Sequence, residues 1–226
     1  MHECTVFAGP STHGLADGWA DDPTLDWRPP ARRGDVDALL ARSQRPGVLV
    51  LCDGVFKVAP AVGHAELQRA IDAGWQAWGV SSLGAIRAWE LRAHGMRGFG
   101  DVYAQFDRHE DFTDDEMCLL HFPAAPWFPL SEPLVNLRHA FECQGSALGI
   151  AEDAAAAVVD QLRGLWFGDR TLARMRSTMV ELAGIPAASA DALLLWLTRN
   201  RAKTKDLENL LRQRPWRSVS AAARTP

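Results

Sequence analysis

The sequence predicts an α/β fold: an open, mostly parallel sheet flanked by helices, with an α-helical region at the C-terminal end. Three observations predict it. Val48-Leu49-Val50-Leu51-Cys52 is continuously apolar, as a strand covered on both faces must be. Cys4-Thr5-Val6-Phe7-Ala8 and Trp75 to Val80 give two more such runs. Helical patterns alternate with these strands, as parallel crossovers require, and such crossovers are right-handed. The arrangement is Rossmann-like and three-layered. The expected division is an α/β core over residues 1–140 and a helical region over 141–226.

The elements follow in chain order. Cys4 to Ala8 enters a sharp turn at Gly9-Pro10-Ser11. Leu15 to Pro30, rich in Asp, Trp and Pro, reads as a long surface loop. A helix is expected from about Val36 to Arg42, and Asp53-Gly54 ends the strand after it. A helix from about Gly63 to Ala73 carries Leu67, Ala70 and Ile71 on one face, and Gly74 stops it. Ser81-Ser82-Leu83-Gly84-Ala85 opens the next helix, which reaches about His94 before Gly95. Gly95 to Asp111 is glycine-rich and irregular. Met117 to His121 reads as a last strand or a short helix. Pro123 to Pro133 holds four prolines and reads as a fixed loop. Beyond Leu134 the pattern is helical. Asp169 is expected to start a helix carrying Leu172, Met175, Met179 and Leu182 on one face, and Ser189 to cap the next. A last helix carries Leu207, Leu210 and Leu211.

Composition excludes several classes. The 226 residues are 47% hydrophobic and 23% charged, values that rule out a disordered chain, a fibrous repeat or a disulfide-stapled scaffold. No apolar run approaches the roughly 18 residues of a membrane-spanning helix. Met1-His2-Glu3-Cys4 shows no basic segment ahead of an apolar stretch, so a cytoplasmic protein without membrane attachment is expected. Net charge is −4, yet from Ala187 onward eight basic residues face three acidic ones. That tail reads as a solvated helix face, because basic and aromatic residues do not alternate as a nucleic-acid strand would need. Cys4, Cys52, Cys118 and Cys143 lack the spacing of a zinc clip or redox motif, so four reduced thiols and no metal site are expected. No Gly-x-x-x-x-Gly-Lys loop is present, and no cofactor is expected.

Candidate chemistry sits at strand ends, where open parallel sheets collect ligands. Gly9-Pro10-Ser11, Asp53-Gly54-Val55-Phe56 and Gly79-Val80-Ser81-Ser82-Leu83-Gly84 are all expected on one edge. The third places hydroxyls beside a helix start, whose unpaired N–H groups can hold an oxyanion. It half resembles a nucleophile elbow: Gly79 lies two before Ser81, and Gly84 two after Ser82. A helix cap alone is the competing reading. His64 opens a helix with Glu66 nearby and Asp53 at a strand end, so an imidazole base oriented by a carboxylate is available. Arg87, Glu90 and His94 share one helix at one-turn spacings, as ordinary surface pairs also do. Asp114-Asp115-Glu116 suits either a helix dipole or magnesium, with the dipole favoured. Ser131 reads as a helix cap, and Asn136 and Arg138 as groups that hold a loop or a carboxylate.

Taken in order, these segments resemble the TfuA-like family. The resemblance rests on Val6-Phe7-Ala8-Gly9-Pro10-Ser11, Pro29-Pro30-Ala31-Arg32-Arg33-Gly34-Asp35, Asp53-Gly54-Val55-Phe56 and His64-Ala65-Glu66-Leu67. Gly79 to Leu91, Gly95-Met96-Arg97-Gly98-Phe99-Gly100, Asp114-Asp115-Glu116 and Pro129 to Arg138 complete it, over roughly residues 4–139. Ala65 stands where family members often carry lysine, and Leu83 where methionine is common.

The resemblance implies an accessory role beside a YcaO-type enzyme, which activates a backbone amide with ATP. The product of such a pair is typically a thioamide in a ribosomally made peptide or protein. Two roles follow. In one, the chain hydrolyses the C-terminal thiocarboxylate of a ubiquitin-like sulfur-carrier protein, and sulfide passes to the YcaO partner. Ser81 or Ser82 would then be the nucleophile, His64 the base and Asp53 or Glu66 its orienting carboxylate. Gly9, Pro10, Ser11, Gly84, Arg87, Glu90, Asn136 and Arg138 would bind substrate or its oxyanion, and the precursor peptide would be met only through the partner. In the other, the chain is a non-catalytic adaptor that activates the YcaO enzyme. Nine tryptophans, with Trp19, Trp27 and Trp127 in expected loops, motivate that reading.

Overall fold

The apolar runs become a five-stranded, all-parallel sheet in the computed structural model, which describes residues 2–55 and 59–218. Phe56 of the second strand-end segment and Arg224 of the basic tail lie outside the described residues. The strands are β1 (Cys4–Phe7), β2 (Leu25–Arg28), β3 (Val48–Leu51), β4 (Gln76–Val80) and β5 (Arg97–Phe99). Their order is β2-β1-β3-β4-β5, with Val6 opposite both Trp27 and Val50, and Val50 opposite Trp78. The chain leaves β1 for β2 on one side, then crosses back to β3. Strand order therefore reverses between β1 and β3, where sheets of this kind bind ligands.

Helices α1 (Asp35–Arg42), α2 (His64–Asp72) and α3 (Leu83–Glu90) link successive strands, and α4 (Asp101–Arg108) follows β5. The start of α3 lies hard against the sheet. A Cβ on Gly84 would stand 1.7 Å from the Leu51 carbonyl oxygen, and one on Gly79 2.0 Å from that of Gly84. Only glycine permits that approach at both positions.

The described residues form two compact units. One runs to Glu110 and resumes at Lys203; the other is Asp111–Ala202. The second holds α5 (Leu134–Gln144), α6 (Glu152–Arg163), α7 (Leu172–Ser177) and α8 (Ala187–Arg199) around Leu137, Val158, Leu162, Met175, Leu193 and Leu197. The division therefore falls elsewhere than residue 140, because the last helix, α9 (Ala202–Gln213), returns to the sheet.

That return supplies the third layer. Cys4, Val6, Val48, Val50, Trp78 and Val80 line one sheet face and cluster with Leu207, Leu210 and Leu211 of α9 and with Trp216. Leu207, Leu210 and Leu211 repeat at helical spacing and are fully buried. Each such side chain contributes about 1.5–3 kcal/mol by leaving water. Asp206 fixes the same helix from its polar side. Its Oδ1 accepts from Asp101 N–H at 2.9 Å and its Oδ2 from Val102 N–H at 2.8 Å, which caps α4.

Several expectations are corrected. The loop expected over Leu15 to Pro30 contains β2, an edge strand, so Trp27 is a strand residue. It donates from Nε1 to the Trp19 carbonyl, and both rings pack on the sheet core. Gly95 to Asp111 is regular, holding β5 and α4. Asp114–Met117 is a single 3-10 turn, and His121 pairs only through an isolated bridge with Pro129. Pro133 rather than Ser131 precedes α5; the Ser131 hydroxyl instead accepts from Leu120 N–H at 2.8 Å. Thr171, not Asp169, caps α7, whose apolar face continues through a π-helical turn, Thr178–Leu182. Ser189 sits inside α8 and donates to the Leu148 carbonyl.

Candidate functional site

Three strand ends meet at the carboxyl edge of the first unit. Asp53, after β3, is buried and accepts three hydrogen bonds from the turn after β1. Its Oδ2 takes the N–H groups of Gly9 (2.8 Å) and Ser11 (2.9 Å), and its Oδ1 the Ser11 hydroxyl (2.7 Å). Pro10 starts the 3-10 turn that aims these groups. Asp53 thus staples the point where strand order reverses, and all of this donor set is spent on the turn.

Cys52 lies between the strand ends. Burial pushes its thiol well above the usual range, although the Ser81 and Ser11 hydroxyls and the Lys203 charge oppose that rise. It stays protonated near neutral pH and is a poor nucleophile. Cys4 is buried on the same sheet face, and its thiol is also raised by burial.

The turn after β4 is strained. Ser81 has φ of +66°, and Ser82 N–H donates to the Val80 carbonyl at 2.7 Å. Such an i→i+2 turn about a left-handed residue is rare and costly. Two contacts hold it. The Ser81 hydroxyl, fully buried, donates to the Lys203 carbonyl of α9 at 2.6 Å. Gly84 N–H, at the second residue of α3, donates to the Cys52 carbonyl at 3.1 Å. Ser82 is 7% exposed, precedes α3 and makes no side-chain cap bond. Among the described residues its hydroxyl has no hydrogen-bond partner, and neither has the N–H of Leu83.

His64 stands apart from Asp53. Its Nε2 lies 2.7 Å from Glu90 Oε2, and Arg87 Nη1 reaches the same oxygen at 2.5 Å. Arg87 Nε donates to the Val62 carbonyl at 3.0 Å, so α2 and α3 are tied where His64 begins α2. The carboxylate facing the imidazole is therefore Glu90, not Asp53 or Glu66. Glu66 is buried and accepts Gly63 N–H at 2.8 Å and Gly34 N–H at 2.9 Å, capping α2 and α1 together. Glu90 lies eight residues beyond Ser82, roughly 12 Å along the helix axis. Among the described residues no hydrogen bond joins His64 to either serine.

Asn136 and Arg138 belong to the second unit. Asn136 Nδ2 donates to Glu132 Oε1 at 2.6 Å, and Arg201 holds both oxygens of Glu132. Arg138 grips Glu116 with Nε (2.6 Å) and Nη2 (2.8 Å) and reaches Asp111 at 3.1 Å. Arg163 meets the same two acids, and buried Arg170 meets Asp115. Asp115 and Glu116 of this acidic run are thus engaged by guanidinium groups. No cluster of ligating side chains suited to a metal occurs among the described residues.

The three strand ends and both serines lie on one edge, as the sequence implies, but His64 and Asp53, grouped in the sequence, have different partners. Sequence reasoning missed Lys203, whose contact is made by its main chain and leaves no residue-type signal. It assigned Glu90 only to substrate binding, though its distance of one helical turn from Arg87 gave a usable clue.

Fold and edge together define an α/β protein with a serine-bearing helix start at the carboxyl edge of a parallel sheet. The chain belongs to the TfuA-like family, whose model matches residues 53–171, more than half of the chain. That family is associated with YcaO systems. The matched stretch takes in Asp53, His64, Ser81, Ser82, Glu90 and Arg138, and leaves out the Ser11 turn and α9. No curated protein matches the chain. Among the described residues no helix is long and apolar enough to cross a membrane.

Proposed function

We propose that this protein works beside a YcaO enzyme in thioamide formation on ribosomally made peptides or proteins, by hydrolysing the thiocarboxylate of a ubiquitin-like sulfur-carrier protein. One observation carries the reading. An imidazole held through one nitrogen by a carboxylate stands on the helix pair whose strand-end turn presents two serines. Glu90 orients His64 through Nε2, which leaves Nδ1 to take a proton. A serine hydroxyl attacks the thiocarboxylate carbon, and its proton is relayed through water to His64. The carbonyl electrons move to oxygen and return as the carbon–sulfur bond breaks, and sulfur departs with that proton. Water then cleaves the ester, giving a carboxylate and hydrogen sulfide and restoring the serine. An anionic acyl group suits the positive end of α3.

The test is sulfide release from a thiocarboxylated carrier protein by the wild type, Ser81→Ala, Ser82→Ala and His64→Ala. His64→Ala is expected to lose at least about 100-fold, as removal of a general base does. Release unchanged in all three variants eliminates the mechanism.

A second reading has its own observation. Leu120, Phe122, Phe128 and Leu130 are exposed on two short antiparallel segments, with Phe122 N–H bonded to the Phe128 carbonyl. Exposed apolar side chains gathered this way suit an adaptor that docks on the YcaO enzyme. Thioamidation assayed with free sulfide separates the two: an adaptor is still required, a sulfide-releasing enzyme is not.

A further inference from the structure

The helix that covers the second sheet face, α9, begins at the carboxyl edge and is fixed there by three contacts. The Lys203 carbonyl accepts the Ser81 hydroxyl after β4 at 2.6 Å. The Thr204 hydroxyl donates to the His13 carbonyl at 2.9 Å, beside the Ser11 turn after β1. Asp206 accepts the N–H groups of Asp101 and Val102, after β5. The start of α9 thus touches the ends of β1, β4 and β5 within the first unit.

Lys203 is 3% exposed. Lysine is rarely buried so completely, because stripping water from an ammonium is costly. Lys203 lies four residues before Leu207, so it continues the buried stripe of Leu207, Leu210 and Leu211 toward the strand ends. An apolar residue would complete that stripe; lysine sets a charge there instead. The charge is felt at Cys52, at the end of β3, where it lowers the thiol and the neighbouring Asp53 carboxylate raises it. Asp53 itself is held by the N–H groups of Gly9 and Ser11 and by the Ser11 hydroxyl. Arg87, the cation on α3, is engaged by Glu90 and the Val62 carbonyl. An anion approaching these strand ends meets the charge of Asp53, which water and salt screen poorly at a buried position. It needs a cation at similar depth, and Lys203 is one.

The geometry points to Lys203 as the residue that selects an anionic acyl group at this edge: its ammonium offsets Asp53 and attracts the terminal charge of the substrate, so that anions are preferred to neutral groups of the same shape. The bond from the Ser81 hydroxyl to the Lys203 carbonyl fixes the distance between this charge and the strained turn. The proposal rests on the hydrolytic reading for the identity of the anion, a protein C-terminal thiocarboxylate. The charge preference itself is measurable without hydrolysis.

Calorimetry on the full-length chain tests it with two forms of one ubiquitin-like carrier protein. One ends in a carboxylate, which keeps the charge of the thiocarboxylate; the other ends in a carboxamide, which keeps the shape without the charge. Wild type is expected to bind the carboxylate form about 10-fold or more tightly than the carboxamide form. Lys203→Met is expected to lose most of that ratio, and Lys203→Gln, a second uncharged variant with a polar head, to lose it likewise. A lysine that only supports the fold would weaken both carriers alike and leave the ratio in place. No preference in the wild type, or the wild-type ratio in either variant, overturns the proposal; the first outcome needs no variant to fold. Sulfide release from the thiocarboxylated carrier is followed in parallel. A ratio lost with Lys203, beside a wild type that releases no sulfide, defeats the hydrolytic reading and leaves the anion site. Release by a wild type without the preference does the reverse.

Discussion

The two units treat buried polar groups in opposite ways. In the second, Asp115 meets the Arg170 guanidinium, and Glu116 meets those of Arg138 and Arg163. In the first, Asp53 accepts two backbone N–H groups and the Ser11 hydroxyl and Glu66 accepts two backbone N–H groups, while the Ser82 hydroxyl and the Leu83 N–H have no partner among the described residues. Saturated groups hold shape, while open ones leave capacity for a ligand. The contrast leaves the unspent groups at the sheet edge, where the proposed chemistry lies, and gives the Arg–carboxylate cluster an architectural part.

The contrast breaks most visibly at Arg170. Its side chain is fully buried and donates to the Leu162, Asp115, Arg163 and Leu165 carbonyls as well as to the Asp115 carboxylate. Arg170→Met is expected to cost about 3–5 kcal/mol in urea unfolding, the cost of stranding buried partners. An unchanged midpoint would show that the cluster is not architectural.

Asp206 gives the next effect, through pH. Burial pushes its carboxyl up to about 7, against the pull of Val102 and Asp101 N–H; nearby Asp101 raises it further and Arg108 lowers it. An unfolded aspartate titrates near ~3.9. Between those values the folded chain keeps a proton that the unfolded chain has released. Stability should therefore fall as pH rises from about 4 to 7, on the order of a few kcal/mol. Unfolding curves across that window should be flatter for Asp206→Asn.

Asp53→Ala sharpens the contrast inside the first unit. Two buried N–H groups and a hydroxyl lose their acceptor, so a loss of about 2–3 kcal/mol is expected. Glu66→Ala removes the acceptor shared by two helix starts and should cost about 1–2 kcal/mol. Arg69→Ala breaks only the exposed pair with Asp37 and should leave the urea midpoint where it is. A large effect there would mean that surface pairs, too, carry the fold.

Legibility in the sequence followed burial. β1, β3 and β4 are buried almost throughout and declared themselves by apolar runs. β2 and β5 are edge strands of intermediate exposure, and Asp26 and Arg28 or Arg97 interrupt their pattern. α4 buries only Val102 and Gln105, too little to mark a helix face. The pairing of His64 was misread for another reason. Asp53 sits at a strand end, where ligands gather, but its oxygens were already claimed by a turn whose geometry composition does not encode. The part played by α9 was hidden by sequence distance and by a contact made through its main chain.

That distance has a kinetic meaning. The residues that cover the second sheet face follow an intervening stretch, Asp111–Ala202, that forms a unit of its own. Closure of the first unit is thus a non-local event of high contact order, slow beside the local pairing of β3 with β4. One proteolytic nick anywhere in that stretch would turn a single molecule into a two-fragment complex, with the strained serine on one piece and the carbonyl that holds it on the other.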